Sequence, residues 1–132
     1  LASALQLTAW LADLGGELER GRLRIPVDEL TRSGVALDAL RGGGEPAALA
    51  RAVAAHVAWT RSLYSKGWEL CRALGPWRGR ELAFVLRWHA ATLSAIEHAH
   101  FDALRGPPPS GWLRLMACAT ASLASSAAPR LA

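Results

Sequence analysis

Residues 4–26 read ALQLTAWLADLGGELERGRLRIP, and the reading of this stretch decides the reading of the rest. Leu5, Leu7, Leu11, Leu14 and Leu18 supply apolar bulk along a helical run. Gln6, Asp13 and Glu17 stand seven and four residues apart. On an α-helix, positions four apart are vertical neighbours and positions seven apart return to the same face. With Arg20 they predict one polar line on an otherwise apolar helix. Two carboxylates one turn apart repel each other unless a cation sits between them. A divalent ion meets that need, and Mg²⁺ favours oxygen ligands and usually bridges to a phosphate. Arg20, Gly21, Arg22 and Arg24 follow, then Pro26, where a new helix can begin. A metal pair followed by a basic loop is what a diphosphate ester needs.

The same stretch resembles the second aspartate-rich region of the squalene and phytoene synthases, which reads roughly Q-L-T-N-I-L-R-D-V-x-E-D-x-x-R-G-R-x-Y-L-P. Gln6, Leu7, Thr8, Asp13, Arg20, Gly21, Arg22 and Pro26 match it, and Glu17 stands where the family has its second Asp. Ala9 replaces the family Asn, Ala12 the Arg before the first Asp, Gly16 the other acid and Arg24 the Tyr. A weaker likeness continues through Gly75-Pro76 and the I-E-x-A-x-F-D-x-L run at residues 96–104. The resemblance implies an isoprenoid-synthase-type fold and head-to-head joining of two prenyl diphosphates, farnesyl or geranylgeranyl, through a cyclopropyl intermediate. It implies Mg²⁺ on Asp13 and Glu17 as the catalytic acids, with Gln6, Arg20 and Arg22 binding substrate. The second-half pattern is similar to bacterial members that make squalene or hydroxysqualene for hopanoids. The likeness spans only the C-terminal half of such an enzyme. The chain is therefore expected to be a fragment, inactive without the N-terminal half that carries the other acidic motif. The four departures support a rival reading, a catalytically decayed member that serves as a lipid- or protein-binding scaffold.

The bulk numbers fit one all-α domain over residues 1–132. Hydrophobic residues make up 52% and charged residues 20%, a globular balance rather than a disordered one. The net charge is +4, yet the arginines are spread out and no aromatic-interleaved basic patch or nucleic-acid motif occurs. Diphosphates or an acidic membrane surface suit this excess better than nucleic acid. Cys71 and Cys118 follow no metal or redox spacing and are expected as buried free thiols. No signal peptide is evident, and the uncharged run 115–129 is too short and too rich in Ser, Thr and Ala to span a bilayer. The expected location is cytoplasmic, with peripheral contact at the inner membrane face.

Along the chain, period and punctuation predict helices over residues 2–19, 26–33, 35–41, 46–74, 77–104 and 111–125, packed antiparallel across short connections. The glycines at 42–44 form a joint and residues 105–110 a rigid turn. Gly67 falls inside the long helix, as a close-packing point or a bend. No period-two alternation of strand length appears. His98 and His100 cannot share a helix face, and with His56 and His89 they are read as core or surface residues. The six tryptophans are read chiefly as packing residues, with Trp10 the one placed to face a carbocation from the motif helix.

Overall fold

The computed structural model describes residues 1–22, 24–36, 46–102, 104 and 111–125. It contains α1 (Ala2–Ala12), α2 (Leu14–Glu19), α3 (Val27–Arg32), α4 (Pro46–Ala73), α5 (Pro76–His98) and α6 (Trp112–Ala124), with no strand among the described residues. The all-α expectation holds. The glycine joint at 42–44 and the turn at 105–110 lie outside the described residues, as does most of the piece expected at 35–41.

α4 is the central helix. Leu49, Val53, Val57, Tyr64 and Cys71 recur at helical steps and are all buried. Gly75, at φ 81°, and Pro76 at the start of α5 reverse the chain in two residues. Arg61 then meets Glu97 while Gly67 meets Leu86, so α4 and α5 run antiparallel. α1 also runs antiparallel to α4, with Leu1 near Gly67 and Thr8 bonded to Tyr64. Gly67 therefore marks close packing: Leu1 and Leu86 occupy the space its side chain would take. α6 runs antiparallel to α5, since Arg114 reaches Thr92 and Arg87 reaches Ser122. Leu14, Leu30, Val53, Val57, Leu86 and Leu93 are fully buried between these helices. Each contributes roughly 1.5–3 kcal/mol of burial. Both thiols are free and buried, and burial pushes both above the ordinary thiol range.

Two predicted helices end differently. The first does not run unbroken over 2–19: it is interrupted at Asp13, at φ −109° and ψ 21°. Two adjacent glycines lower helical preference there. Gly15 also packs so closely on the Leu104 carbonyl that a Cβ would lie 2.6 Å from its oxygen. The helix expected over 77–104 stops at His98. His100 donates its backbone N–H to Glu97 and Phe101 donates to Ile96, both at 2.9 Å, closing a Schellman-type end with His100 and Phe101 at φ 54° and 61°. His100 is consequently exposed.

Candidate functional site

The acid pair sits where α1 passes into α2. The amide of Asp13 donates to Ala9 and its carbonyl accepts from the Glu17 amide at 2.9 Å, so the break preserves the one-turn spacing of the two carboxylates. Glu17 is only 9% exposed, whereas the Asp13 side chain is about half open to solvent at 43%. Arg20 lies between them. Its Nη1 donates to Asp13 Oδ2 at 3.0 Å and to Glu17 Oε1 at 2.9 Å. The second Glu17 oxygen accepts from Arg24 Nε at 3.1 Å. The carboxylate repulsion read from the sequence is thus relieved, by guanidinium groups.

Local folding explains why these arginines arrive there. α2 ends in a Schellman motif: Gly21 donates to Leu18 at 2.9 Å and Arg22 to Glu17 at 2.8 Å. Gly21 takes φ 70°, which L side chains rarely adopt, and this is the reason for glycine in R-G-R. The turn folds the chain back so that Arg24 reaches Glu17, seven residues earlier. The Arg24 guanidinium also lies 5.4 Å from the Trp10 ring centroid, in cation–π range. Gly16 completes the cluster from below. A Cβ there would meet Asp13 Oδ1 at 2.5 Å and Arg20 Nη2 at 3.2 Å.

The electrostatics follow from the contacts. Glu17 is held below its usual carboxyl range, first by the Arg24 hydrogen bond, with partial desolvation opposing and Arg24, Arg22 and Arg20 adding attraction. Arg20 is held more firmly charged, chiefly through its bond to Asp13.

Of the predicted site residues, Asp13, Glu17 and Arg20 come together. Arg22 is exposed at the turn, close enough to act on Glu17 through its charge. Gln6 is exposed on α1 and, among the described residues, makes no hydrogen bond to the acid pair. The residue with the larger role than its motif match implies is Arg24. Its only sequence signal is the departure from the family Tyr, because the turn that delivers it depends on backbone geometry. Trp10, read as a carbocation-facing ring, has Arg24 against it. Thr8, of the Q-L-T match, is a buried anchor: the Tyr64 hydroxyl lies 2.6 Å away and Thr8 donates to the Ala4 carbonyl at 2.9 Å. Beneath the motif, buried His56 has Nδ1 at 3.1 Å from the Ala52 carbonyl and Nε2 at 3.4 Å from Glu29 Oε2.

The donor set fits a hard divalent cation. Two carboxylates one turn apart already share one cationic group, and Mg²⁺ characteristically takes one or two carboxylates with water and phosphate oxygens completing its shell. Among the described residues no group of three or more His, Cys, Asp or Glu is placed to cage a metal.

The family model for squalene/phytoene synthase matches residues 1–114, which takes in the acid pair, the basic turn and all of α4 and α5. No curated protein and no solved structure gives a significant match. With the match extending over most of its length, the chain belongs to the squalene/phytoene synthase family.

Proposed function

We propose that the chain supplies one acidic face of a prenyltransferase site that condenses two prenyl diphosphates head to head. The observation that carries this reading is the Asp13–Arg20–Glu17 cluster on the matched motif, a carboxylate pair that already draws a cation between its members. Asp13 and Glu17 would hold Mg²⁺, which when bound neutralises diphosphate charge and makes it a better leaving group. Arg20 and Arg22 would take phosphate oxygens, for which a guanidinium fork is suited. Arg20 would have to turn from the carboxylates towards the substrate to do so. Gln6, exposed on the same helix, would hydrogen-bond the diphosphate or its water. The apolar helices would keep water from the allylic cation. Farnesyl or geranylgeranyl diphosphate is the expected donor. The opposing acidic face would come from polypeptide outside these 132 residues, and the chain by itself would be inactive. A bacterial hopanoid-pathway role, with cytoplasmic location and peripheral contact at the inner membrane face, is the setting that suits it.

One observation favours the rival reading of a decayed member. Arg24, in place of the family Tyr, holds Glu17 Oε2 and competes with any metal for that oxygen. The test is turnover by the natural gene product given farnesyl or geranylgeranyl diphosphate, with and without Mg²⁺. A Mg²⁺-dependent product of twice the donor's carbon count, abolished by Asp13→Ala, is the expected result. A folded protein that yields none would favour the scaffold.

A further inference from the structure

His56 is a buried titratable group outside the acid pair, and both of its ring nitrogens face acceptors. It is 4% exposed on α4. Nδ1 lies 3.1 Å from the Ala52 carbonyl, one turn back on the same helix. A carbonyl oxygen only accepts, so Nδ1 carries a hydrogen. Nε2 lies 3.4 Å from Glu29 Oε2 on α3. A neutral ring with its hydrogen on Nδ1 turns a lone pair towards that carboxylate, and two acceptors face to face repel. The contact becomes a bond only when one further proton lies between Nε2 and Oε2. It is therefore a contact that protonation makes and deprotonation breaks. The surroundings leave it no other charged partner among the described residues. α1 and α2 bring Leu7, Leu11, Leu14 and the Trp10 ring to the small cavity beside His56, and the turn brings Ile25 and Arg24. Its own helix adds the Trp59 ring, edge-on at 6.4 Å. Arg24 carries the same sign as a protonated imidazole and is committed to Glu17 and Trp10.

α3 depends on such a tie. Its six residues are too few for a helix to persist in water unaided. Leu30 is its buried side chain, and Arg51 fixes its end by donating to the Ser33 carbonyl at 3.2 Å. Ile25 and Pro26 join α3 directly to the basic turn, so the seat of α3 on α4 sets where Arg22 and Arg24 stand. Residues 24–29 are strung between two contacts, Arg24 on Glu17 Oε2 of α2 and Glu29 on His56 of α4. We propose that the His56–Glu29 contact is a proton-dependent latch that holds the basic turn over the acid pair. When the proton leaves, the carboxylate faces a lone pair, α3 loosens, and Arg24 gives up Glu17 Oε2 more readily. A cation at the acid pair then meets less competition for that oxygen; this second effect alone rests on the proposed metal site. Histidine as a residue changes charge between about pH 5 and 8. Glu17, held below its usual carboxyl range, is ionised throughout that interval and contributes no pH dependence to it.

The experiment is amide hydrogen exchange of the full chain by NMR at pH 5.5 and pH 7.5, with rates corrected for the intrinsic pH dependence of exchange. The Leu30 and Ser33 amides, which donate to the Pro26 and Glu29 carbonyls, report α3. The Arg22 amide, which donates to the Glu17 carbonyl, reports the turn. Protection of all three should fall about threefold from pH 5.5 to pH 7.5, the worth of a part-exposed ion pair, while that of Leu86 in the core stays unchanged. In Glu29→Gln the fall should disappear. The Glu29 side chain is a third exposed, so this variant keeps the fold even where the buried His56→Gln does not. Mn²⁺, followed by electron paramagnetic resonance, should bind the parent chain about threefold tighter at pH 7.5 than at pH 5.5, and Glu29→Gln should lose that difference. PH-independent protection of α3 in the parent chain, or an undiminished fall in Glu29→Gln, overturns the latch. The expected exchange with equal Mn²⁺ affinity at both pH values overturns its link to the acid pair. No Mn²⁺ binding at either pH sinks the proposed metal site instead, and the exchange result alone then decides the latch.

Discussion

Arg24 governs what Glu17 is free to do. It occupies Oε2 at 3.1 Å while Arg20 occupies Oε1 at 2.9 Å, so both oxygens of a nearly buried carboxylate are taken. Restoring the family aromatic with Arg24→Tyr releases one of them. Mn²⁺ titrated by electron paramagnetic resonance should then bind up to about fivefold tighter, the range of a part-exposed ion pair. An unchanged or weaker affinity would show that Arg24 does not compete with the metal. The same contact has a pH signature. The folded Glu17 carboxyl lies below its ordinary 4.5, first because of Arg24. Its stabilising effect is therefore complete above pH 4.5 and is lost as pH falls through the depressed folded value. In Arg24→Ala the shift shrinks, so the drop in melting temperature between pH 7 and pH 3 should be smaller than in the parent chain. Tyr64 and Thr8 form the other polar contact of consequence, buried between α1 and α4. Tyr64→Phe removes a hydroxyl bonded at 2.6 Å and should cost about 1 kcal/mol by denaturant unfolding. Thr8 keeps its own bond to Ala4, which is why the loss stays small.

Between elements, the critical joint is the passage from α1 to α2. Gly15 permits the backbone there to touch the Leu104 carbonyl, which ties the acid pair to the segment following α5. Gly15→Ala puts a methyl group 2.6 Å from that oxygen. It should destabilise the chain by roughly 1–3 kcal/mol and also displace the carboxylates. Chemical denaturation measures the first effect and Mn²⁺ titration the second. The end of α5 is clamped to the middle of α4 by Arg61, whose Nε and Nη2 reach the two Glu97 oxygens at 2.9 and 2.6 Å. Since both side chains are about a third exposed, Glu97→Gln should cost no more than about 1 kcal/mol. Interlocked apolar packing, rather than this pair, holds the two helices together.

For the molecule as a whole, the bundle puts its polar chemistry at one end of α1 and its bare apolar face on α6. Stability rests on the shared core of α1, α4 and α5, where Leu86 is wholly enclosed against Gly67. Leu86→Ala should lower unfolding free energy by roughly 2–5 kcal/mol, far more than any of the ion-pair changes. A loss below 1 kcal/mol would mean that the three helices do not share one core.

Much of this was legible because the signals are local. Hydrophobic period placed α4 and α5, Gly75-Pro76 placed the reversal between them, and the Asp13–Glu17 spacing with R-G-R placed the candidate site. Gly21 could be recognised as a turn residue because only its own backbone decides φ. What tertiary structure alone decided depends on groups far apart in sequence or on exact backbone path. The close backbone approach at Gly15 depends on Leu104, and the polar contact of buried Thr8 on Tyr64. Arg24 reaches Glu17 because a left-handed residue swings the chain back by one turn. The orientation of α6 is the strongest instance. Its sequence shows an apolar stripe and one arginine, but which side faces inward depends on Trp88, Thr92 and Arg87 accepting the polar line. Local sequence determines a helix and its faces; packing partners determine which face is hidden.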